Sequence, residues 1–309
     1  VEVIKATGLA GPTELIREIV NQAEGRPGLA TTLAYLCLKG DVRQVLSGDV
    51  LSNMFLEALE LRIGKTGGET LAAFAVGGDV GMALDAVAEQ LELSPLDVRQ
   101  AVVNLAAGGV ILETDPQHLS VRPPALRHVL IRDVFFCGPT ALPFPVFQGL
   151  LAKSPNLAQS VHDLISAKAR GGEVSSPWLA ELVERTDTPR LWRSYVQLGR
   201  EEAAWVFENH PEVLTLAAPL GLEFAPDIAL PLLLARAIGD ERPLHAHPDH
   251  PLRIIQDWVQ SGEPGSGQPL ERRLTLLQAV RSWLEQGYDE AIGLHTLKFV
   301  LSPNFESHT

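Results

Sequence analysis

Two short stretches carry residue types that could do chemistry. Gly64-Lys65-Thr66 has the letters with which a phosphate-binding loop reaches phosphate and Mg2+. Such a loop also needs a glycine five residues earlier, so that successive backbone amides can cradle the anion, and that position is Leu59. The triplet follows a helical pattern rather than a strand and reads as a linker. No apolar run ending in acids accompanies it. His245-Ala246-His247-Pro248-Asp249-His250 has ligand types that suit Zn2+. Prolines interrupt it and no second ligand cluster is evident, so it reads as a loop between helices. Cys37 and Cys137 have no histidine nearby in sequence, and no Ser/His/Asp arrangement stands out. The reading therefore assigns no catalytic residue and no metal site.

A third stretch, Glu24-Gly25-Arg26-Pro27-Gly28, is a turn between two helical patterns. Leu15, Ile16, Ile19 and Val20 recur at helical spacing before it; Leu29, Leu33, Leu36 and Cys37 do so after it. Pro27 fixes its own φ and removes a donor, and Gly28 can cap the helix that follows.

The elements that must position these stretches are mainly helical. Of 309 residues, 46% are hydrophobic, enough for two or three domains with real cores. Thirty-eight acidic residues stand against 25 basic ones, a formal charge of −13, which argues against nonspecific binding to nucleic acid or an anionic membrane. Two cysteines make no disulfide framework and fit a reducing cytoplasm. No signal peptide or apolar run of transmembrane length is present. Val1-Glu2-Val3-Ile4 alternates like a strand without partners nearby, and a lone strand is unstable in water. The expectation is a C-terminal part of a longer protein with its sheet upstream.

Residues 1–63 read as that strand followed by a helical bundle, with helices to about 24, from 29 to 39 and from 49 to 61. Residues 64–137 begin with helices over 69–74, 80–91 and 94–107; Ser94-Pro95 is a strong helix start. Two short strands over 110–113 and 118–121 then form a β-hairpin, which makes this segment a winged helix. Residues 138–309 read as helix after helix: 146–152, 156–169, 176–184, 191–209, 212–220, 227–238, 252–260, 270–286 and 288–300. Pro-marked corners suggest an α-solenoid-like array, with a closed bundle as the alternative. Trp178, Trp192, Trp205, Trp258 and Trp283 sit among apolar residues and belong to cores.

A strand, a helix, Gly25-Arg26-Pro27 at the head of another helix and then a winged helix resembles the order found in STAND-class P-loop NTPases, which include NB-ARC proteins and bacterial antiviral STAND proteins. The match covers roughly residues 1–137, and domain order carries most of its weight. It implies that Pro27 packs near an adenine base, with Gly25 and Arg26 beside it, and that ATP or ADP with Mg2+ is held by an upstream nucleotide-binding domain. No nucleotide is expected to bind this chain tightly alone. In that family a histidine near the end of the winged helix senses nucleotide phosphate. One register places His128 there, with Val129 where the family has Asp. Another places Arg122-Pro123-Pro124 there, without a histidine, and Arg122 or Arg127 then serves as a phosphate or interdomain contact. The resemblance further implies that the helical arm recognises a protein trigger and that the active form is a homo-oligomer, in signal transduction or antiviral defence.

Two alternatives belong to other classes. One is a winged-helix transcription regulator; the other is a helical scaffold without nucleotide. Against the first, residues 66–137 hold four arginines and nine carboxylates, and the helix that would enter the major groove offers only Arg99, Gln100 and Asn104.

Overall fold

The computed structural model describes residues 2–9, 13–23, 27–39, 65–107, 110–238, 240, 247–261, 268–287 and 290–301. The sequence expectations for Gly25, Arg26, Gly64, the helix over 49–61 and His245 lie outside these residues. The protein is mainly α-helical with one small antiparallel sheet. It divides into two compact units, Val1–Thr186 and Asp187–Thr309. The expected boundary at 137/138 falls inside the first unit.

The first unit opens with α1 (Glu2–Ala6), α2 (Thr13–Ala23) and α3 (Pro27–Lys39). Of the expected opening strand over Val1–Ile4, the described residues from Glu2 on are helical instead. They have no partner strand to pair with among the described residues. The helix Glu2–Ala6 buries Ile4, packs against α3 and is followed by Gly8, whose φ of +83° suits glycine. Ile19, Ala23, Ala30, Leu33, Ala34 and Cys37 are buried, and burial pushes the Cys37 thiol pKa up.

Next comes α4 (Lys65–Ala75), with Leu71 through Val76 wholly buried. Lys65 and Thr66 begin this helix rather than forming a linker. The chain continues through β1 (Met82–Ala83), α5 (Leu84–Gln90), α6 (Pro95–Ala107), β2 (Ile111–Asp115) and β3 (His118–Val121). Residues 80–91 read as a single helix in sequence, yet Met82 and Ala83 pair antiparallel with Leu119 and His118. Gly81 makes this pairing possible. Its φ is +89°, and a Cβ there would lie 2.5 Å from the carbonyl carbon of Leu119. The sheet order is β1-β3-β2. Ser94 caps α6 by accepting from the amide of Asp97 at 3.1 Å, as the Ser-Pro signal predicts. Asp115 Oδ1 accepts from the amides of Gln117 and His118 and closes the hairpin.

Four helices complete the first unit: α7 (Pro124–Phe135), α8 (Phe144–Ala152), α9 (Leu157–Ala169) and α10 (Ser176–Thr186). α7 lies against both α4 and α9, α8 against α5, and α10 against α9. Phe135, Phe136, Phe144, Phe147 and Trp178 form a run of edge-to-face and tilted rings.

The second unit comprises α11 (Pro189–Val196), α12 (Arg200–Asn209), a 3-10 turn (Pro211–Val213), α13 (Leu214–Phe224), α14 (Pro226–Ala237), α15 (Pro251–Gln260), α16 (Gln268–Glu285) and α17 (Glu290–Leu301). The helix expected over 191–209 is two helices, broken at Gln197-Leu198-Gly199, with Tyr195 and Val196 buried in the first and Ala203, Val206 and Phe207 in the second. α13 is kinked at Ala217, two residues before Pro219, which lacks the N–H that a straight helix would use. Each helix packs on those one or two places away in the chain. Trp192, Trp258 and Trp283 are buried, while Trp178 and Trp205 are half-buried. No helix of the described residues is long and apolar enough to cross a membrane.

Candidate functional site

The site is built where α7 leaves β3 and crosses α9, in the first unit. Pro124 occupies the first position of α7, where its missing N–H costs nothing. Leu126, Val129, Leu130 and Ile131 turn the helix inward, and Arg127 goes in with them. A guanidinium that is 1% exposed must have its charge and its donors met. Its Nε donates to Asp163 Oδ2 at 3.0 Å, and its Nη1 donates to the carbonyl of Val121 at 3.2 Å and lies 3.0 Å from Asp79 Oδ1.

Asp163 is wholly buried on α9 and surrounded by donors. Gln159 Nε2, one turn earlier, donates to Oδ1 at 2.9 Å; Asn156 caps the start of that helix. His128 Nε2 is 3.0 Å from the same oxygen, and His162 Nδ1 is 3.6 Å from it. Burial alone would raise the carboxyl pKa. The hydrogen bonds from both histidines and the charge of Arg127 outweigh it and hold Asp163 well below the usual carboxylate range.

The loop before β1 is fastened to the same junction. Asp79 bridges Arg122, 2.8 Å from its Nη1, to Arg127. Ser120 Oγ donates to the carbonyl of Gly78, and Ser160 Oγ donates to that of Val76. Gly78 has φ +61°, and a Cβ there would lie 2.6 Å from Gln159 Cγ. A continuous chain of charge thus runs Arg122–Asp79–Arg127–Asp163–His128.

This geometry joins three of the residues singled out in the sequence, Arg122, Arg127 and His128, through Asp79 and Asp163, which the sequence reading did not single out. Pro27 sits elsewhere, exposed at the first position of α3. His128 and Arg122 both face carboxylates, so any phosphate reaching them would compete with Asp163 or Asp79. Asp163, Asp79, Gln159 and His162 were missed. One signal was available: Asp163 falls at an inward position beside Ser160, Leu164 and Ala167, and Arg127 does so beside Leu126 and Leu130. Two opposite charges on apolar faces imply each other. One ligand atom from each of His128, His162 and Asp163 lies within 4.8 Å of the other two.

Of the four arginines in 66–137, Arg122 and Arg127 are paired as above, and Arg132 donates to Asp133 and to the carbonyl of Arg170. Arg99 has no ion pair among the described residues. It lines a cleft of about 420 Å3 between α6 and the hairpin, together with Asp85, Glu113 and Asp115. In the histidine-rich loop, His250 is buried, and its Nδ1 caps α15 by accepting from the amide of Leu252.

No family model, no curated protein and no solved structure matches this chain.

Proposed function

We propose that this chain is the regulatory and sensor portion of a STAND-type ATPase switch, with no chemistry of its own. The observation that carries the reading is the order of the elements from Lys65 to Val121. Helix, short strand, two helices and a hairpin, with sheet order β1-β3-β2, support reading this segment as a winged helix. Ahead of it, Pro27 heads a helix, as in the family.

In this reading an upstream domain holds ATP or ADP with Mg2+, and Pro27 with Gly25 and Arg26 meets the base. The helices after the wing start an α-solenoid-like arm that recognises a protein trigger. The Arg127–Asp163 pair ties the winged helix to α9, so the two move together. Arg122 rather than His128 then suits phosphate, because its partner Asp79 is half exposed and exchangeable while Asp163 is wholly buried. Nucleotide exchange would free the winged helix for oligomerisation, with the coupling reciprocal between trigger and nucleotide. The setting would be the cytoplasm, in signalling or antiviral defence.

The transcription-regulator reading is less well supported. DNA binding needs cations free to neutralise phosphates. Here three of four arginines are occupied, and the fourth lines a cleft with three carboxylates. Fluorescent-ADP binding to the full-length protein tests the proposal. Binding that weakens on Pro27→Ala while the helical content is unchanged supports it. Equal affinity in the variant, or no affinity in the wild type, contradicts it.

A further inference from the structure

His128 and His162 approach the same oxygen of Asp163 from α7 and α9, with their rings edge to face at 6.4 Å. We propose that His128, His162 and Asp163 form a binding site for one divalent transition-metal ion of the Zn2+ class, clamping α7 to α9. The inference does not depend on the nucleotide proposal.

The ligand set suits such an ion: two imidazoles and a carboxylate supply three protein ligands and leave a position for water. Around a tetrahedral ion with bonds of about 2.0–2.2 Å, neighbouring ligand atoms stand about 3.3–3.6 Å apart, so only small side-chain shifts are needed here. The oxygen of Asp163 lies 3.0 Å from His128 Nε2 and 3.6 Å from His162 Nδ1. The carboxylate is already oriented. Arg127 holds Oδ2 and Gln159 donates to Oδ1, the outer contacts that fix a ligand's direction in metal centres.

The imidazoles also leave a route in, since their side chains are 12% and 22% exposed above a carboxylate that is not exposed at all. His128 Nδ1 is buried without a hydrogen-bond partner among the described residues. Without a metal the Asp163 carboxylate keeps the proton on Nε2; with a cation in place that proton moves to the unpartnered Nδ1 and the Nε2 lone pair faces the ion. With neutral imidazoles, Arg122 and Arg127 are balanced by Asp79 and Asp163. Arg127 still opposes a second cation nearby. That selects an ion held by bonds to nitrogen over Mg2+ or Ca2+, which depend on oxygen ligands and negative charge.

Co2+ titration of the full chain, followed by visible absorption, reads the site directly, with Zn2+ as competitor. The expected result is one equivalent of Co2+ with a ligand-field band that Zn2+ abolishes, and a Tm raised by Zn2+. His162→Ala and His128→Gln should each lose the band while keeping the metal-free circular dichroism. A His245→Ala/His247→Ala variant should retain it. No band in the wild type, or a band that survives both site variants, would overturn the proposal. So would loss of the band in the loop variant alone.

Discussion

Arg127 Nε stands 3.0 Å from Asp163 Oδ2, and neither side chain has more than 1% of its surface exposed. Such a pair is costly to break from one side, because the remaining charge stays buried, and much less costly to remove whole. Arg127→Met and Asp163→Leu should each destabilise the chain by about 3–5 kcal/mol, and the double variant by clearly less than either. Denaturant unfolding of the three variants measures this. Additive losses would mean that the two side chains do not depend on each other.

Gly81 is a second point of low tolerance. Alanine there must adopt φ +89° and place its Cβ against the backbone of Leu119, which cannot swing away like a side chain. Gly81→Ala should lower stability by roughly 1–3 kcal/mol and loosen the β1–β3 pairing, read as faster amide exchange at Met82. By contrast, Gly138 has φ +77° but open space, so Gly138→Ala should carry the backbone strain alone.

The second unit has its own pH signature. Burial, reinforced by the charge of Glu202, pushes the Tyr195 hydroxyl pKa well above its ordinary value. A folded pKa above the unfolded value of about 10 gives stability that is complete below pH 10 and is lost as pH rises beyond it. Absorbance titration should show the Tyr195 hydroxyl ionising only with alkaline unfolding. Tyr195→Phe should remove the late step and flatten the alkaline loss of stability.

The charge pattern around α6 predicts no affinity for duplex DNA. A polarisation titration at low salt should stay flat for the wild type and for Arg99→Glu. A wild-type signal that falls as salt is raised would restore the transcription-regulator reading.

Much of the architecture was legible because local signals and packing agree. Ser94-Pro95 starts α6, the 118–121 strand pairs as its alternation implies, and Pro and Gly mark most helix ends. Two of the misses share one cause. Val1 to Ile4 alternates, yet a strand needs a partner, so helical packing of Ile4 prevails. Met82 and Ala83 lie within a helix-like pattern, yet Gly81 lets the chain approach β3, and two pairings outweigh propensity. The helix expected over 191–209 breaks at Leu198-Gly199, where glycine is a poor helix former. At the site, Arg122, Arg127 and His128 were visible as candidates. Their meaning was not, because Asp79 and Asp163 reach Arg122 and His128 from positions 43 and 35 residues away in the chain.

The most direct measurement of the central claim is the mass distribution of the full-length protein in ADP and in ATP. A regulatory module of a nucleotide-gated switch predicts a small species with ADP and a larger defined oligomer with ATP and trigger, with the shift weakened by Pro27→Ala. An identical distribution under both nucleotides, together with no measurable nucleotide binding, would contradict it and leave a helical scaffold.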